Sequence, residues 1–383
     1  MILVWDGYVD FAESWTVPLH RASARLASVI YLQPDPDHAG IRGWRSLAGG
    51  RSEVAPDGGP GLDVVRLPAL LPGSRFRAIS HLNRWVALRL LLSRLRRRTD
   101  APVVLFLQRP YLLPTLRGLP AHLRIYEVTD DYVASARPTT RAQRVRRAHR
   151  RFVRQADQVW ATTEQLLEPL QRQRPDARAS HMGVDYDAFA AGVATGCPES
   201  LRRIPVPRIG LVGRLNDRID WALVERLCDA DPDWNVVFVG PIYLAGAATR
   251  EALERLERRS NFHLLPAVPR SEMPAYVAGL DVCLIPYRVI PGTSSIQPIK
   301  LYEYLATGRP VVSTPLPAMA DFDDVVDFAE PDAFAATVHD ALAGVGGDLA
   351  TLRRQDRAHQ HDWNAIAEQR LEALREMLAA VSG

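Results

Sequence analysis

The sequence predicts an α/β protein built of two doubly wound, Rossmann-like parallel-sheet domains. Three observations carry this. Short apolar runs alternate with helical stretches along most of the chain, and the alternation breaks once and then restarts. Several runs are apolar without interruption, as in Val103–Leu107 (VVLFL), the pattern of strands buried on both faces. At 383 residues the chain is also too long for one ordinary core.

In the first series, Ile2–Trp5 is a strand followed by the Asp6-Gly7 turn signal. A helix is expected over Trp15–Leu26, then strands at Val29–Leu32 and Val64–Leu67. Between these strands, Pro34–Gly61 is rich in Gly, Pro and Asp and reads as a long surface loop. Arg77–Arg98 is a helix with an apolar stripe, and strands follow at Val103–Leu107 and Arg124–Val128. The second of these runs into Thr129-Asp130-Asp131-Tyr132. A strongly basic helix, Arg141–Arg154, then leads to a strand at Val159–Ala161 and a helix at Thr163–Arg172.

Around Ala177–Pro207 glycines and prolines punctuate the pattern, which places the linker at 179–206, between domains 1–178 and 207–360. The second series has strands at Ile209–Val212, Val236–Val239, Phe262–Leu265 and Val282–Ile285. Helices at Trp221–Ala230, Ala247–Arg258 and Met273–Ala278 alternate with them. A helix from Pro298 and a strand at Val311-Val312 complete the series, and Asp332–Ala343 and Leu349–Ala380 form a helical tail.

A formal net charge of +3 argues against a whole-protein polyanion partner, and the arginine run lacks the aromatic interleaving of a nucleic-acid module. Three cysteines without metal or CxxC spacing suggest reduced thiols and a cytoplasmic setting. MILVWDG lacks the basic start of a signal peptide, and VALRLLLSRLRRR is broken by Arg89 and Arg94, so no spanning segment is expected. The arginine-dense helix Arg141–Arg154, with Arg94 and Arg96–Arg98, is a candidate for peripheral contact with an anionic membrane or acceptor.

The stretch PIKLYEYLATGRPVV, Pro298–Val312, is the most motif-like. Pro298 suits a first helical turn, and Gly308 and Pro310 suit its end. Of the 47 basic residues, Lys300 is the single lysine, which points to a need for a compact ammonium rather than a wider guanidinium. A cation in the first turn of such a helix suits an anionic ligand. GLVGRL, Gly210–Leu215, sits at the first strand-to-helix crossover of the second series. There Gly213 would admit a phosphate to the backbone, with Arg214 and Arg218 bonding it. In HLLPAVPRSEMPAYVAGLDVCLIPY, backbone near Ala267 and Val268 is placed to bond a planar base, and Tyr287 and Arg288 to line a pocket.

Taken in order, GLVGRL, the short P-A-Y helix before DVCLIPY, and PIKLYEYLATGRPVVST resemble the nucleotide-sugar domain of GT-B glycosyltransferases of group 1, the family 4-like class. His181-Met182-Gly183-Val184-Asp185 with Phe189 resembles that class's NGVD…F element. The Pro-x-Lys start of the helix motif resembles the subset with the glucuronosyltransferases of teichuronic acid and xanthan synthesis. The resemblance implies two domains facing a cleft and transfer of a sugar from a nucleotide-diphosphate sugar to an acceptor hydroxyl. The donor is then a co-substrate, no cofactor is needed, and the acceptor is a small molecule or lipid-linked. It implies donor-binding roles for Gly213, Arg214, Arg218, Val268, Tyr287, Arg288, Gln297, Pro298, Ile299, Lys300, Leu301 and Glu303, with Glu303 on a ribose hydroxyl or another polar group of the donor. It also implies that residues 361–383 cross back to the first domain. Cationic side chains are expected in place of a metal, since Asp323-Asp324 is not a convincing metal pair.

The chain departs from the family pattern at Ser295, where typical retaining members carry Glu, so retention or inversion stays open. A first-domain aspartate is the general base in the xanthan-type enzyme. Asp130 is the candidate here and Asp131 the reserve, against the plainer expectation that either caps the following segment. His20 is the next candidate base. A nucleotide-sugar epimerase, a pyridoxal-phosphate phosphorylase using the lone lysine, and a non-catalytic donor-binding partner of another transferase are the alternatives.

Overall fold

The computed structural model describes residues 1–7, 16–33, 60–67, 76–132, 134, 140–344 and 347–382. Contacts divide the chain into two units, Met1–His181 with Asn364–Gly383, and Met182–Trp363. Trp15 and residues 34–59 of the expected loop lie outside the described residues.

Unit 1 runs β1 (Ile2–Asp6), α1 (Val17–Ala24), β2 (Ser28–Gln33), β3 (Leu62–Arg66), α2 (Arg77–Arg98), β4 (Val103–Leu107) and β5 (Leu123–Val128). It continues with α3 (Thr140–Gln155), β6 (Gln158–Ala161), α4 (Glu164–Gln171) and β7 (Arg178–Ala179). The strands form one parallel sheet in the order β3-β2-β1-β4-β5-β6-β7. The order reverses between β1 and β4, the place where such sheets open a crevice. Alternate side chains serve opposite faces. Val4, Leu105 and Tyr126 pack under Leu88 and Leu92 of α2 and Phe152 and Val153 of α3. On the other face, Leu3, Trp5 and Phe106 pack with Val17 of α1 and with Leu374 of the last helix.

That last helix is tied to unit 1 by a buried ion pair. Glu127, on β5, accepts from Arg370 Nη2 at 2.5 Å, from Ser180 Oγ at 2.6 Å and from Gln108 Nε2 at 2.8 Å. Burial alone would raise the Glu127 carboxyl, but Arg370 and the hydroxyl and amide bonds hold it below the ordinary carboxylate value.

Unit 2 begins with α5 (Tyr186–Gly192) and α6 (Glu199–Arg202), followed by β8 (Arg208–Val212), β9 (Leu215–Asn216), α7 (Trp221–Ala230), β10 (Asn235–Val239) and β11 (Ile242–Tyr243). It continues with α8 (Ala247–Leu256), β12 (Phe262–Leu265), α9 (Met273–Ala278), β13 (Val282–Ile285), α10 (Ile299–Ala306) and β14 (Val311–Ser313). β15 (Asp327–Phe328), α11 (Phe334–Ala343) and α12 (Asp348–His359) follow, and α13 (Trp363–Ser382) starts here and carries the chain into unit 1. The main sheet is parallel, in the order β12-β10-β8-β13-β14-β15, with its reversal between β8 and β13. β9 and β11 form a separate two-stranded ladder.

Two doubly wound sheets are therefore present, as the alternating pattern predicts. The stretch Met182–Val206 belongs to unit 2: Ser200 Oγ and the Tyr276 hydroxyl are 2.7 Å apart, and Phe189 is buried. The helical tail differs from the single run expected over Leu349–Ala380. It breaks between α12 and α13, because the backbone there pairs with Val184: the Val184 N–H donates to the His361 carbonyl and the Trp363 N–H to the Val184 carbonyl. A continuous helix would withhold both groups.

Candidate functional site

In unit 2 the site is built at the carboxyl ends of β8 and β13. β8 pairs with β13 only at Ile209 and Gly210, so beyond them the two strands diverge. The gap is filled by Tyr304 of α10, whose hydroxyl accepts from the Val212 N–H at 3.0 Å and donates to the Val212 carbonyl at 3.1 Å. One phenol thus satisfies both backbone groups that the strand leaves open. The chain then turns at Gly213, whose φ of +132° lies where side-chain-bearing residues are strained. A Cβ there would sit 3.4 Å from Cε and 3.5 Å from Nζ of Lys300.

Lys300 enters from the first turn of α10. Pro298 is the N-cap rather than a helical residue, and its extended conformation leads the chain into the helix at Ile299. Lys300 is 6% exposed. Its Nζ donates to the Tyr287 hydroxyl at 3.1 Å and lies 5.2 Å from that ring's centre, and no carboxylate among the described residues pairs with it. A desolvated ammonium held by a neutral phenol beside an open glycine is poised for an anion. At the other end of the helix, Gly308 takes φ +75° as the residue after the C-cap, as its sequence position predicts.

Glu303 lies almost one turn further along α10 and is 2% exposed. Burial raises its carboxyl above the ordinary value, while the nearby charges of Arg270 and Lys300 oppose that shift. Its partner is Arg270, with Nη2 3.3 Å from Oε1. Sequence reasoning missed this arginine, although it stands in the loop that holds Val268. That loop leaves Val268 half-buried.

The remaining candidates form a shell. Arg214 is exposed and stacks on Tyr243 at 4.6 Å. Arg218 is half-buried, its N–H donating to Asn216 Oδ1 and its carbonyl accepting from the Arg288 N–H. The Arg288 guanidinium donates to the Asp217 carbonyl. Asp217 in turn accepts from the Ala245 and Gly246 N–H groups, which braces the segment after β9 against the segment after β11. Gln297 Nε2 donates to the Ala318 carbonyl at 3.1 Å, and Leu301 is fully buried. The structure therefore brings Gly213, Tyr287 and Lys300 into contact, with Glu303 next to them. It spreads Arg214, Arg218 and Arg288 over the flanking loops.

Residues 206–344 match the family model described as glycosyl transferases group 1. That span of the second unit is similar to group 1 glycosyltransferases. Over 234 residues the chain is 26% identical to a Bacillus subtilis (strain 168) protein, TuaH, named as a teichuronic acid biosynthesis glycosyltransferase. That match covers 59% of this chain and 58% of the relative. Among solved structures, sucrose-phosphate synthase from Thermosynechococcus elongatus aligns with a TM-score of 0.74 at 16% identity, over 99% of each chain. Anabaena HepE, in complex with UDP and glucose, aligns with a TM-score of 0.65 at 15% identity, over 98% of this chain and 99% of that one. At these identities the structural likeness speaks for the two-sheet GT-B fold alone. The matched span includes Gly213, Tyr287, Lys300 and Glu303.

In unit 1, Asp130 and Asp131 follow β5 and both are half-buried. Asp131 Oδ1 accepts from the Ala134 N–H at 2.8 Å, the capping geometry weighed as the plainer expectation for this pair. Thr129 Oγ1 and the Tyr132 hydroxyl are 2.7 Å apart, and Arg109 lies 4.7 Å over the Tyr132 ring. His20 is a different case. It is fully buried, its Nε2 2.8 Å from Thr16 Oγ1, and its ring packs on Trp5 and Tyr31. Burial, then the charge of Arg370, lowers its pKa to about 3. A ring so enclosed cannot meet an acceptor hydroxyl, so the core position removes it as a candidate base. No group of His, Cys, Asp and Glu that could hold a metal ion occurs among the described residues.

Proposed function

We propose that this chain transfers a glycosyl group from a nucleotide-diphosphate sugar to an acceptor hydroxyl, releasing the nucleoside diphosphate. The observation that carries the proposal is the buried Lys300 ammonium, facing Gly213 and bonded, among the described residues, only to the Tyr287 hydroxyl. Its place at the reversal point of the sheet is where such folds bind nucleotides. Lys300, Arg214 and Arg218 balance the charge that develops on the departing diphosphate, a stabilisation that acts strongly in a desolvated site. Glu303 takes a ribose hydroxyl, and the loop at Val268 borders the base. Asp130 is the candidate base for the acceptor, with Asp131 in reserve. The anomeric bond to the diphosphate oxygen breaks as the acceptor oxygen bonds to the anomeric carbon, and the acceptor proton passes to the carboxylate. The acceptor is a small molecule or is lipid-linked, with α3 as a peripheral contact to an anionic membrane.

The bound UDP of HepE makes UDP the first nucleotide to try. Isothermal titration with UDP, GDP and dTDP should find one that binds, and the matching sugar nucleotide should release its diphosphate only with an acceptor present. If none of the three binds, the proposal is wrong. Binding without release across a broad acceptor panel would favour the non-catalytic reading.

A further inference from the structure

Two helices of unit 1 cover the same face of its sheet, α2 and α3, both packed in the core around Val4, Leu105 and Tyr126. The segment after β4 is bonded to both. Arg89 of α2 donates to the Gly118 carbonyl, and Gln155 of α3 accepts from the Leu116 N–H at 3.0 Å. Their solvent sides differ from an ordinary polar helix face. α3 buries Val145, Ala148, Phe152 and Val153 and exposes Arg144, Arg146, Arg147, Arg150 and Arg154. α2 exposes leucines instead. Leu82 is 43% and Leu90 47% exposed, two helical turns apart on one side, with Val86 half-buried between them. Phe76, just before the helix, is 55% exposed, and the helix ends in exposed Arg96, Arg97 and Arg98.

An outward stripe of large apolar side chains, continued by guanidinium groups and flanked by a helix armed with more of them, has the chemistry of an interfacial helix pair. We propose that the α2–α3 face docks on an anionic lipid surface, with Leu82 and Leu90 entering the acyl boundary and the α3 arginines resting on headgroup phosphates. A polynucleotide would engage the arginines and leave the leucines without a role, whereas a lipid surface uses both. The proposal deepens the membrane contact inferred for α3, and it stands on surface residues that take no part in donor binding.

The test is co-sedimentation of the full chain with phosphatidylglycerol and with phosphatidylcholine vesicles, at low and high salt. The parent should bind the anionic vesicles and retain part of that binding at high salt. Leu82→Ser/Leu90→Ser should lose the salt-resistant part and weaken binding about tenfold. Arg144→Gln/Arg147→Gln/Arg150→Gln should lose the salt-sensitive part, at roughly fivefold per arginine. Leu82→Phe/Leu90→Phe, which keeps the face apolar, should bind at least as well as the parent. UDP titration of each variant reads the donor site separately, so the two proposals fail independently. Anionic-vesicle binding of the serine variant equal to the parent's overturns the docking face. So does equal parental binding to both vesicle types, or a concentration-dependent dimer that the serine variant abolishes while vesicle binding persists.

Discussion

At the scale of single residues, Lys300 has the least replaceable environment. Its ammonium occupies a space bounded by the α-carbon of Gly213 and the Tyr287 hydroxyl. Lys300→Ala should weaken nucleotide binding by about 1.5–3 kcal/mol, the value of a charged hydrogen bond, and leave the thermal midpoint near the parent's. Lys300→Arg should also be impaired, because the planar guanidinium is wider than the gap over Gly213. Calorimetry on both variants checks this, and unchanged affinity in either would remove Lys300 from the site. The aspartates call for a different measurement. Asp130→Asn should lower turnover by about 10²–10⁴ while donor affinity stays, since an amide keeps the shape but takes no proton. Asp131→Asn should cost little turnover, because its Oδ1 already serves the Ala134 N–H. Near-parental turnover in both variants would move the base elsewhere in the chain.

Elements carry a second kind of dependence. α10 holds the mouth of β8 through one hydroxyl, that of Tyr304, bonded to both the N–H and the carbonyl of Val212. Tyr304→Phe leaves those buried backbone groups open, which should cost about 1–3 kcal/mol and raise the nucleotide Kd by freeing the turn at Gly213. A variant with parental stability and affinity would show that water replaces the phenol. The last helix depends on Arg370 in a similar way. Arg370→Met strands the Glu127 carboxylate in the core of unit 1 and should cost about 3–5 kcal/mol, whereas Glu127→Gln/Arg370→Met should recover much of the loss. Denaturant unfolding followed by tryptophan fluorescence compares the two, and equal losses would show that the pair contributes no net coupling.

At the scale of the whole molecule, the buried ionisable groups of unit 1 set a response to acid. His20 is held neutral in the fold with a pKa of about 3, against about 6.5 when unfolded. The unfolded chain therefore binds the extra proton first, and stability falls as pH drops from about 6.5 towards 3. Glu127 adds to the same trend, since its depressed pKa contributes stability above the unfolded carboxylate value that is lost as pH falls through the folded one. Glu303 works in the opposite sense, because a raised carboxyl loses stability as pH rises through its folded value. His20→Gln, which keeps a hydrogen-bonding partner for Thr16, should flatten the decline between pH 6.5 and 4 relative to the parent. Parallel profiles of thermal midpoint against pH for the two proteins would assign the acid response to other groups.

The strands and most helices were legible because each is specified locally, by an unbroken apolar run such as Val103–Leu107 or by helical spacing of the kind seen in Arg77–Arg98. The turn at Gly213 and the helix end at Gly308 were legible as well, since only glycine takes those φ angles without strain. The amino-acid sequence by itself determined two parallel sheets, their order along the chain, and the stretch in which its one lysine stands. Only the tertiary structure decided what that lysine meets and that Arg270 sits over Glu303. It alone buried His20 beyond any catalytic use, broke the tail at Val184, and paired Arg370 of the returning α13 with Glu127. The physical reason is common to all of these. Desolvation and pairing depend on which distant residues share a volume, and hydrophobic period along the chain carries no record of that.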